Sequence, residues 1–178
     1  MRVEGVPYCT SHVGVIAVTA RPAGIWHKRW IMCAGELNLI LRASNLLEAS
    51  LAKIGQKKHF PAAHLLFAED DGNAGVFVVA SGIVCMSVKS LPRLDRLFGS
   101  GSVLGLPSTF TGKPYTLTAK AITEVDVVHV LREHFLLLML RQPDLCREST
   151  EILGREMSFI QSVMAERRRH TPPGAMAL

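Results

Sequence analysis

The chain has 178 residues, of which 48% are hydrophobic and 20% are charged. This is the composition of a folded globular protein, and it excludes a largely disordered chain. The formal net charge of +5 permits an acidic partner or nucleic acid without specifying either of them. The length suffices for one domain with its own core and a small addition.

The four cysteines, Cys9, Cys33, Cys85 and Cys146, lie far apart in the sequence. Without C-x-x-C spacing they predict free cytosolic thiols, and neither a disulfide framework nor a zinc site. No apolar run is long enough to span a membrane, and the N-terminus shows no clear signal-peptide cleavage site. These features predict a cytoplasmic protein without a membrane partner.

Residues 1–35 show no sustained hydrophobic period and are predicted to be a poorly defined leader. The cluster WHKRW at residues 26–30 fits a basic-aromatic contact patch, but a loosely packed terminus is the commoner structure for such a segment. From Glu36 the pattern is helical, and Gly55 stands where a glycine ends a helix. Ser44 can divide this segment into two short helices, whose apolar stripe predicts a lid on the strands that follow.

Short apolar segments alternate with glycine-containing turns between residues 65 and 90. Val76–Ala80 is predicted to be a buried strand, and alternation from Ile83 to Ser87 predicts the next one. The acidic residues Glu69–Asp71 lack the spacing of a calcium-binding loop and predict a solvated turn. Short strands without long helices between them predict an antiparallel arrangement and not a parallel α/β sheet.

The segment Gly101–Ala121 combines three glycines, two prolines and four threonines between two apolar strand candidates. Pro107 followed by Ser108 and Thr109 predicts a short turn or one helical turn, whose exposed N–H groups would suit an anion. From Tyr115 onward, apolar and polar residues alternate and predict a strand. The pattern alone also fits a plain connection between two strands, so both interpretations stay open at this point.

Three further elements are predicted after this segment. Val125–Val130 is a closing strand, and the leucine-rich Arg132–Arg141 is too short for a bilayer and is predicted to be a buried helix. The final helix starts at Pro143–Asp144 and runs to about Arg169. Arg167–Arg169 would complement its C-terminal end, and three arginines do not predict a nucleic-acid site.

The final helix carries apolar residues spaced four, three and four apart, as in the seam of a short coiled coil. These residues are Leu153, Met157, Ile160 and Met164. They predict a homodimer in which two copies of the helix pack together. The alternative is that the same stripe packs on the strands of its own chain.

The order of these segments resembles the cyclic nucleotide-binding domain of bacterial regulators of the Crp/Fnr superfamily. Residues 101–121 resemble its phosphate-binding cassette, residues 65–90 the first half of its β-roll, and residues 121–157 its last strand and the helices that follow. The resemblance covers roughly residues 46–169. It implies an α+β fold: an antiparallel β-roll (a double-stranded β-helix, jelly-roll-like) with an N-terminal helical lid and a long C-terminal dimerisation helix.

The resemblance also implies how the chain is divided. The predicted segments are a poorly defined leader (1–35), the β-roll domain (36–142), the dimerisation helix (143–170) and a tail (171–178).

The candidate ligand-binding residues implied by the resemblance are Gly105, Leu106, Ser108, Thr109, Lys113, Tyr115 and Thr116. Nucleotide-binding members carry a glutamate after the glycine matched by Gly105, where this chain has Leu106. They carry an arginine for the cyclic phosphate, where this chain has Tyr115. An apolar side chain and a neutral phenol pair poorly with a ribose hydroxyl and a phosphate. We therefore expect any small-molecule effector to be something other than cyclic AMP or cyclic GMP.

The resemblance implies a sensor that acts in transcriptional regulation by changing how two C-terminal helices pack. In full-length relatives this helix leads into a helix-turn-helix domain that reads DNA. Because the chain ends at Leu178, we expect no such domain, no specific DNA binding by this chain, and action through a partner.

The sequence shows no paired carboxylates, nucleophile elbow or Cys–His arrangement, which predicts a protein that is not an enzyme and holds no cofactor. His129 and His134 have no third ligand in sight, and no metal site is predicted. The alternatives are a cupin-like metal-dependent enzyme and a purely structural dimerisation module.

Overall fold

The computed structural model describes residues 42–88 and 95–170, without the side chains of residues 163, 164 and 166–170. The predicted leader and tail therefore lie outside the described residues, as do Cys9, Cys33 and the side chains of Met164 and Arg167–Arg169. The elements, in chain order, are the helix α1 (Asn45–Ile54), the strands β1 (Gln56–Phe60), β2 (Leu65–Phe67), β3 (Val76–Ser81), β4 (Val84–Ser87), β5 (Arg96–Phe98) and β6 (Val103–Leu104), the helix α2 (Leu106–Thr111), the strands β7 (Thr118–Ala121) and β8 (Val125–Val130), and the helices α3 (Arg132–Arg141) and α4 (Pro143–His170).

The described strands form two four-stranded sheets, in the orders β1-β8-β3-β6 and β2-β7-β4-β5. Every pairing between neighbouring strands is antiparallel. Phe67 of one sheet lies against Phe77 of the other, with ring centroids 5.4 Å apart, so the two sheets enclose a common core. Antiparallel sheets combined with helices confirm the α+β class that the short strands and glycine turns predicted.

The helix α1 is fixed at both ends. Ser44 is its N-cap, and the Ser44 hydroxyl accepts a hydrogen bond from the Leu47 N–H at 3.2 Å. Glu148 of α4 accepts two further hydrogen bonds from Ser44, one from its backbone N–H at 2.7 Å and one from its hydroxyl at 2.8 Å. The helix stops at Gly55, where a Cβ atom would lie 2.3 Å from the Val128 side chain. Leu47 and Leu51 are fully buried, so α1 belongs to the core.

The strand β1 was not predicted from the sequence. It is an edge strand that pairs only with β8 among the described strands, and Lys57, Lys58 and His59 are exposed on it. An edge strand that buries little shows no alternation of apolar residues, which explains why the sequence pattern did not predict β1. Its charged side chains disfavour pairing with a further strand.

The helix α3 has the predicted bounds, but the prediction that it is buried was wrong. Phe135 and Met139, one helical turn apart, are its two buried residues, whereas Leu137 and Leu140 are 45% and 80% exposed. The helix lies on the surface and turns one face inward, so a run of leucines cannot all reach the core. Among the described residues, no helix combines the length and the apolar character that a membrane crossing requires.

The helix α4 carries two neighbouring stripes. The buried stripe has the spacing four, three, four and consists of Leu145, Ser149, Ile152 and Glu156. The predicted dimer seam lies one residue further on: Leu153 and Ile160 are half-buried, and Met157 is 49% exposed. The buried stripe of α4 is therefore not the predicted seam.

Candidate functional site

The cassette is the segment from β6 to β7 that surrounds the helix α2. Gly105 and Gly112 cap the two ends of α2 and have φ values of +85° and +70°. At Gly105 a Cβ atom would lie 3.0 Å from the Tyr115 ring and 3.1 Å from the Gly75 carbonyl oxygen. Glycine is needed there both for the left-handed backbone and for space. The predicted helical turn after Pro107 is confirmed.

The hydroxyl groups predicted to face a ligand bind the cassette's own backbone. The Ser108 hydroxyl donates to the Pro114 carbonyl at 3.1 Å, and the Thr109 hydroxyl donates to the Gly105 carbonyl at 2.8 Å. Both side chains are buried. Lys113 and Thr116 lie exposed in the loop after α2. The structure thus brings the predicted residues to one loop but uses the two buried hydroxyls to hold it in shape.

Tyr115 lies inside the core, with 2% of its surface exposed. Its hydroxyl donates to the Gly75 carbonyl at 2.7 Å and accepts from the Ala74 N–H at 3.2 Å. Its ring stacks on Phe67 with centroids 4.1 Å apart. Burial raises the pKa of the Tyr115 phenol, so the group stays neutral. Leu106, at the other predicted position, is fully buried in the core.

A row of four aromatic rings begins with Tyr115 and runs between the two sheets. Tyr115 stacks on Phe67, Phe67 lies against Phe77, and Phe77 stacks on His129 with centroids 4.5 Å apart. The His129 Nε2 lies 3.0 Å from the Ala74 carbonyl oxygen. Burial, and secondarily the charge of Lys58, lowers the pKa of His129 and favours the neutral ring. The interior beside the cassette is filled by uncharged rings.

Arg132, the first residue of α3, contacts the cassette from the C-terminal end of α2. Its Nε donates to the Thr109 carbonyl at 3.0 Å, and its guanidinium covers Gly112, where a Cβ atom would lie 3.1 Å from Nη2. The rings of Phe110 and Phe135 meet edge to face at 5.3 Å. These contacts join α2 to α3. Sequence analysis did not single out Arg132, because its distance from the cassette along the chain gave no spacing signal.

A shallow cavity of about 440 Å³ lies on the outer side of β1, β8 and β3. In it the Asp126 carboxylate accepts hydrogen bonds from the His59 Nδ1 at 2.9 Å and from the Ser81 hydroxyl at 2.8 Å. These two hydrogen bonds lower the pKa of the Asp126 carboxyl, and the bond from His59 has the larger effect. The serine hydroxyl is bonded to the carboxylate and not to the histidine, so these three groups do not form a Ser–His–Asp triad, in which the imidazole takes the serine proton.

The described residues contain no group of three or more His, Cys, Asp or Glu side chains that could hold a metal ion. His129 is buried in β8 and His134 is exposed on α3. Cys85 is buried and Cys146 half-buried, and neither forms a disulfide among the described residues.

Residues 57–142 match the family model described as the cyclic nucleotide-binding domain. This segment runs from β1 to the end of α3 and contains the whole cassette. Residues 57–142 are therefore a cyclic nucleotide-binding domain with homology to CRP-like regulators, as the resemblance implied.

The curated relatives it matches are CRP-like cAMP-activated global transcriptional regulators of two Mycobacterium tuberculosis strains. Each is 26% identical over 132 residues, which cover 72% of this chain and 59% of the relative. The chain thus spans about three fifths of the length of these relatives, which are described as regulators and not as enzymes.

Solved structures show the same fold. The Thermus thermophilus catabolite activator protein superposes with a TM-score of 0.62 at 19% identity, over 74% of this chain and 63% of that one. A Thermotoga maritima transcriptional regulator gives 0.57 at 13% identity, over 65% and 93% of the two chains. Oxidised CprK in complex with o-chlorophenolacetic acid gives 0.61 at 11% identity, over 80% and 60%.

Proposed function

We propose that this chain is a regulatory module of the CRP type that acts in transcriptional regulation, with a cyclic nucleotide-binding domain that does not take cyclic AMP or cyclic GMP as its effector. The observation that carries the proposal is the placement of Tyr115. Its ring and its hydroxyl are both committed to contacts inside the chain.

The chemistry of a cyclic nucleotide argues against the cassette as its site. The ligand brings one fixed negative charge and a ribose hydroxyl, and a partly buried site must pair both. A guanidinium suits the phosphate because its planar fork donates two charged hydrogen bonds. Tyr115 offers a neutral phenol that already has two partners, and Leu106 offers no polar atom at all. Admitting a nucleotide would require Tyr115 to leave Phe67 and the Gly75 carbonyl.

Arg132 does not supply the missing guanidinium in the arrangement described. It lies at the C-terminal end of α2, and its Nε already donates to the Thr109 carbonyl. The exposed groups that remain for an anion are Lys113 and Thr116, on the loop after α2. They favour an effector of another shape, or a domain that acts without one.

The output of the module is proposed to pass through α4 as a homodimer. Met157 and the half-buried Leu153 and Ile160 form an apolar stripe that the rest of the described chain leaves partly uncovered. Their spacing is that of a coiled-coil seam, which a second copy of the same helix would cover. The contacts from α2 through Arg132 to α3, and from Met139 of α3 to Ser149 of α4 at 3.4 Å, support a route from cassette to helix.

Calorimetry with cyclic AMP and cyclic GMP tests the proposal. The Mycobacterium tuberculosis relatives are described as cAMP-activated, so cyclic AMP is the first compound to try. We expect no binding at micromolar concentrations, because two missing charged or polar partners weaken binding by roughly a hundredfold at least. A micromolar Kd for either nucleotide would overturn the proposal.

The double variant Leu106→Glu with Tyr115→Arg tests the same proposal by an expected gain of binding. It restores the two side chains that nucleotide-binding members carry, and affinity for a cyclic nucleotide should rise. Thermal melting of the variant is needed beside it, since a buried glutamate can unfold the domain. A folded variant without any gain in affinity would show that these two positions do not face the ligand.

A further inference from the structure

The second half of α4 is attached to β5 through one unusual contact. The Arg96 guanidinium lies between two rings, with its Cζ 3.9 Å from the centroid of Phe159 and 5.0 Å from that of Phe98. Glu156 stands one helical turn before Phe159 and is only 3% exposed. A half-buried cation and a buried acid thus lie between a strand and a helix.

The polar atoms of Arg96 are incompletely satisfied. Its Nε and Nη2 are shielded from solvent and have no hydrogen-bond partner among the described residues. Buried N–H groups of a guanidinium without an acceptor are unfavourable, and a carboxylate is the acceptor that matches their geometry best. Burial raises the pKa of Glu156, and the charge of Arg96 opposes that rise, so the two groups interact. Direct binding between the Arg96 guanidinium and the Glu156 carboxylate would supply the missing acceptor.

The helix has a weak point just before this contact. Leu145, Ser149 and Ile152 hold its first half to the protein, and all three are fully or almost fully buried. Gly154 follows, with open space where its Cβ atom would stand. A glycine inside a helix loosens it relative to alanine. A displacement of the part of α4 that follows Gly154 therefore costs less than it would with alanine at this position.

We propose that Arg96 and Glu156 form a two-position latch that sets where the second half of α4 lies on β5. In the stacked position, described above, the guanidinium lies on Phe98 and Phe159. In the paired position, a small movement of the helix after Gly154 lets the guanidinium bind the Glu156 carboxylate. Met157 and Ile160 move with the helix, so the latch sets the direction of the apolar stripe. The latch is a property of a single chain and does not depend on an effector.

Nuclear magnetic resonance relaxation dispersion on the 178-residue chain tests the latch. The amides of residues 155–162 should show exchange on the microsecond to millisecond timescale, and those of residues 145–152 should not. Glu156→Gln keeps the shape of the side chain but removes its charge. It should lower the population of the paired position at least tenfold and abolish the exchange.

The matched control is Arg155→Met, which removes a charge from the exposed side of the same helix and should leave the exchange unchanged. Arg96→Met should speed amide hydrogen exchange at residues 155–162 at least tenfold. If that variant loses the signals of β3 and β8 it has unfolded, and the other two variants decide. No exchange in the unmodified chain, unchanged exchange in Glu156→Gln, or loss of exchange in Arg155→Met would each overturn the latch.

Discussion

The cassette and the contact between β5 and α4 both bury polar groups, and they satisfy them to different degrees. In the cassette, the hydroxyls of Ser108, Thr109 and Tyr115 all donate to backbone carbonyls. At the other contact, two nitrogens of Arg96 have no acceptor among the described residues. Beside the cassette one group, the Asn73 Oδ1, is also buried without a partner, although the Asn73 Nδ2 donates to the Thr109 hydroxyl at 3.4 Å. An unpaired neutral amide oxygen is less unfavourable than two unpaired nitrogens of a charged guanidinium, so the contact between β5 and α4 leaves more room for another arrangement of similar free energy. The cassette, where the resemblance places the ligand site, is therefore expected to be rigid. The second half of α4 is expected to move.

The strongest way to break the rigidity of the cassette is Tyr115→Ala. Removing a buried aromatic side chain should lower the free energy of unfolding by about 3–5 kcal/mol. Tyr115→Phe, the matched control, keeps the ring on Phe67 and should cost about 1–3 kcal/mol for the unpaired backbone groups. Urea unfolding measures both. Equal losses would mean that the ring contributes little and that the site is less tightly filled than described.

The predicted dimer seam on α4 is tested by Met157→Glu combined with Ile160→Glu. Charge in a desolvated seam is unfavourable, and the dimer Kd should rise at least hundredfold, about 2.7 kcal/mol. Analytical ultracentrifugation should then show monomer with an unchanged far-ultraviolet spectrum. Leu140→Glu is the control, since it places a glutamate at a position of α3 that is 80% exposed. An unmodified chain that sediments as a monomer at high concentration contradicts the dimer.

Arg132→Met asks whether α3 holds the cassette. It removes a charged donor to the Thr109 carbonyl, which typically costs about 1–3 kcal/mol. Hydrogen exchange at the α2 amides should become faster, while exchange in β3 and β8 stays the same. Arg141→Met, at the exposed far end of α3, is the control. Unchanged α2 protection in Arg132→Met would show that the cassette is held without α3.

A smaller effect is expected from His129, which closes the row of rings. Because burial lowers its pKa in the folded state, the unfolded chain takes up the proton first as pH falls. The stability tied to neutral His129 is complete above the unfolded pKa of about 6.5 and decreases as pH falls towards the folded pKa, by at most about 1.4 kcal/mol per pH unit. Urea midpoints between pH 7.5 and 5 measure this. His129→Gln should flatten the dependence and exposed His134→Gln should not; equal slopes in both would refute it.

The smallest effect is expected with DNA. We expect residues 1–178 to show no sequence-specific binding to DNA. Any weak attraction should decrease as the salt concentration rises, because the release of counterions from DNA then contributes less to binding. Filter binding at 50 mM and 200 mM salt compares the two conditions. A sequence-selective footprint that persists at physiological salt would contradict the expectation.

Sequence reasoning reached the elements whose residues bury a full face. The strands β3, β4 and β8 and the helices α3 and α4 follow from alternation or helical spacing, because burial imposes that period on the residues. The edge strand β1 buries little and left no period to read. The burial of α3 was misjudged because a leucine count does not reveal which face turns inward.

Only some residues of the candidate site were predicted from the sequence. The cassette glycines and the unusual residues Leu106 and Tyr115 were found by resemblance, since their positions follow from the order of segments. The partners of Tyr115 were not found, because the Gly75 carbonyl lies forty residues away along the chain and one sequence carries no record of such contacts. Arg132 and the pairing of Arg96 with Glu156 were missed for the same reason. Whether the predicted cassette residues bind an effector stays a prediction.

The link between Ser44 and Glu148 has a consequence for the order of events during synthesis. The helix α1 is made early, yet the carboxylate that completes its N-terminal hydrogen bonds lies 104 residues later in the chain. At roughly 5–20 residues per second, a ribosome needs on the order of 5–20 s to deliver it. During that time α1 has its own Ser44 cap but not the carboxylate. The helix α1 therefore reaches its final contacts only when α4 has been synthesised.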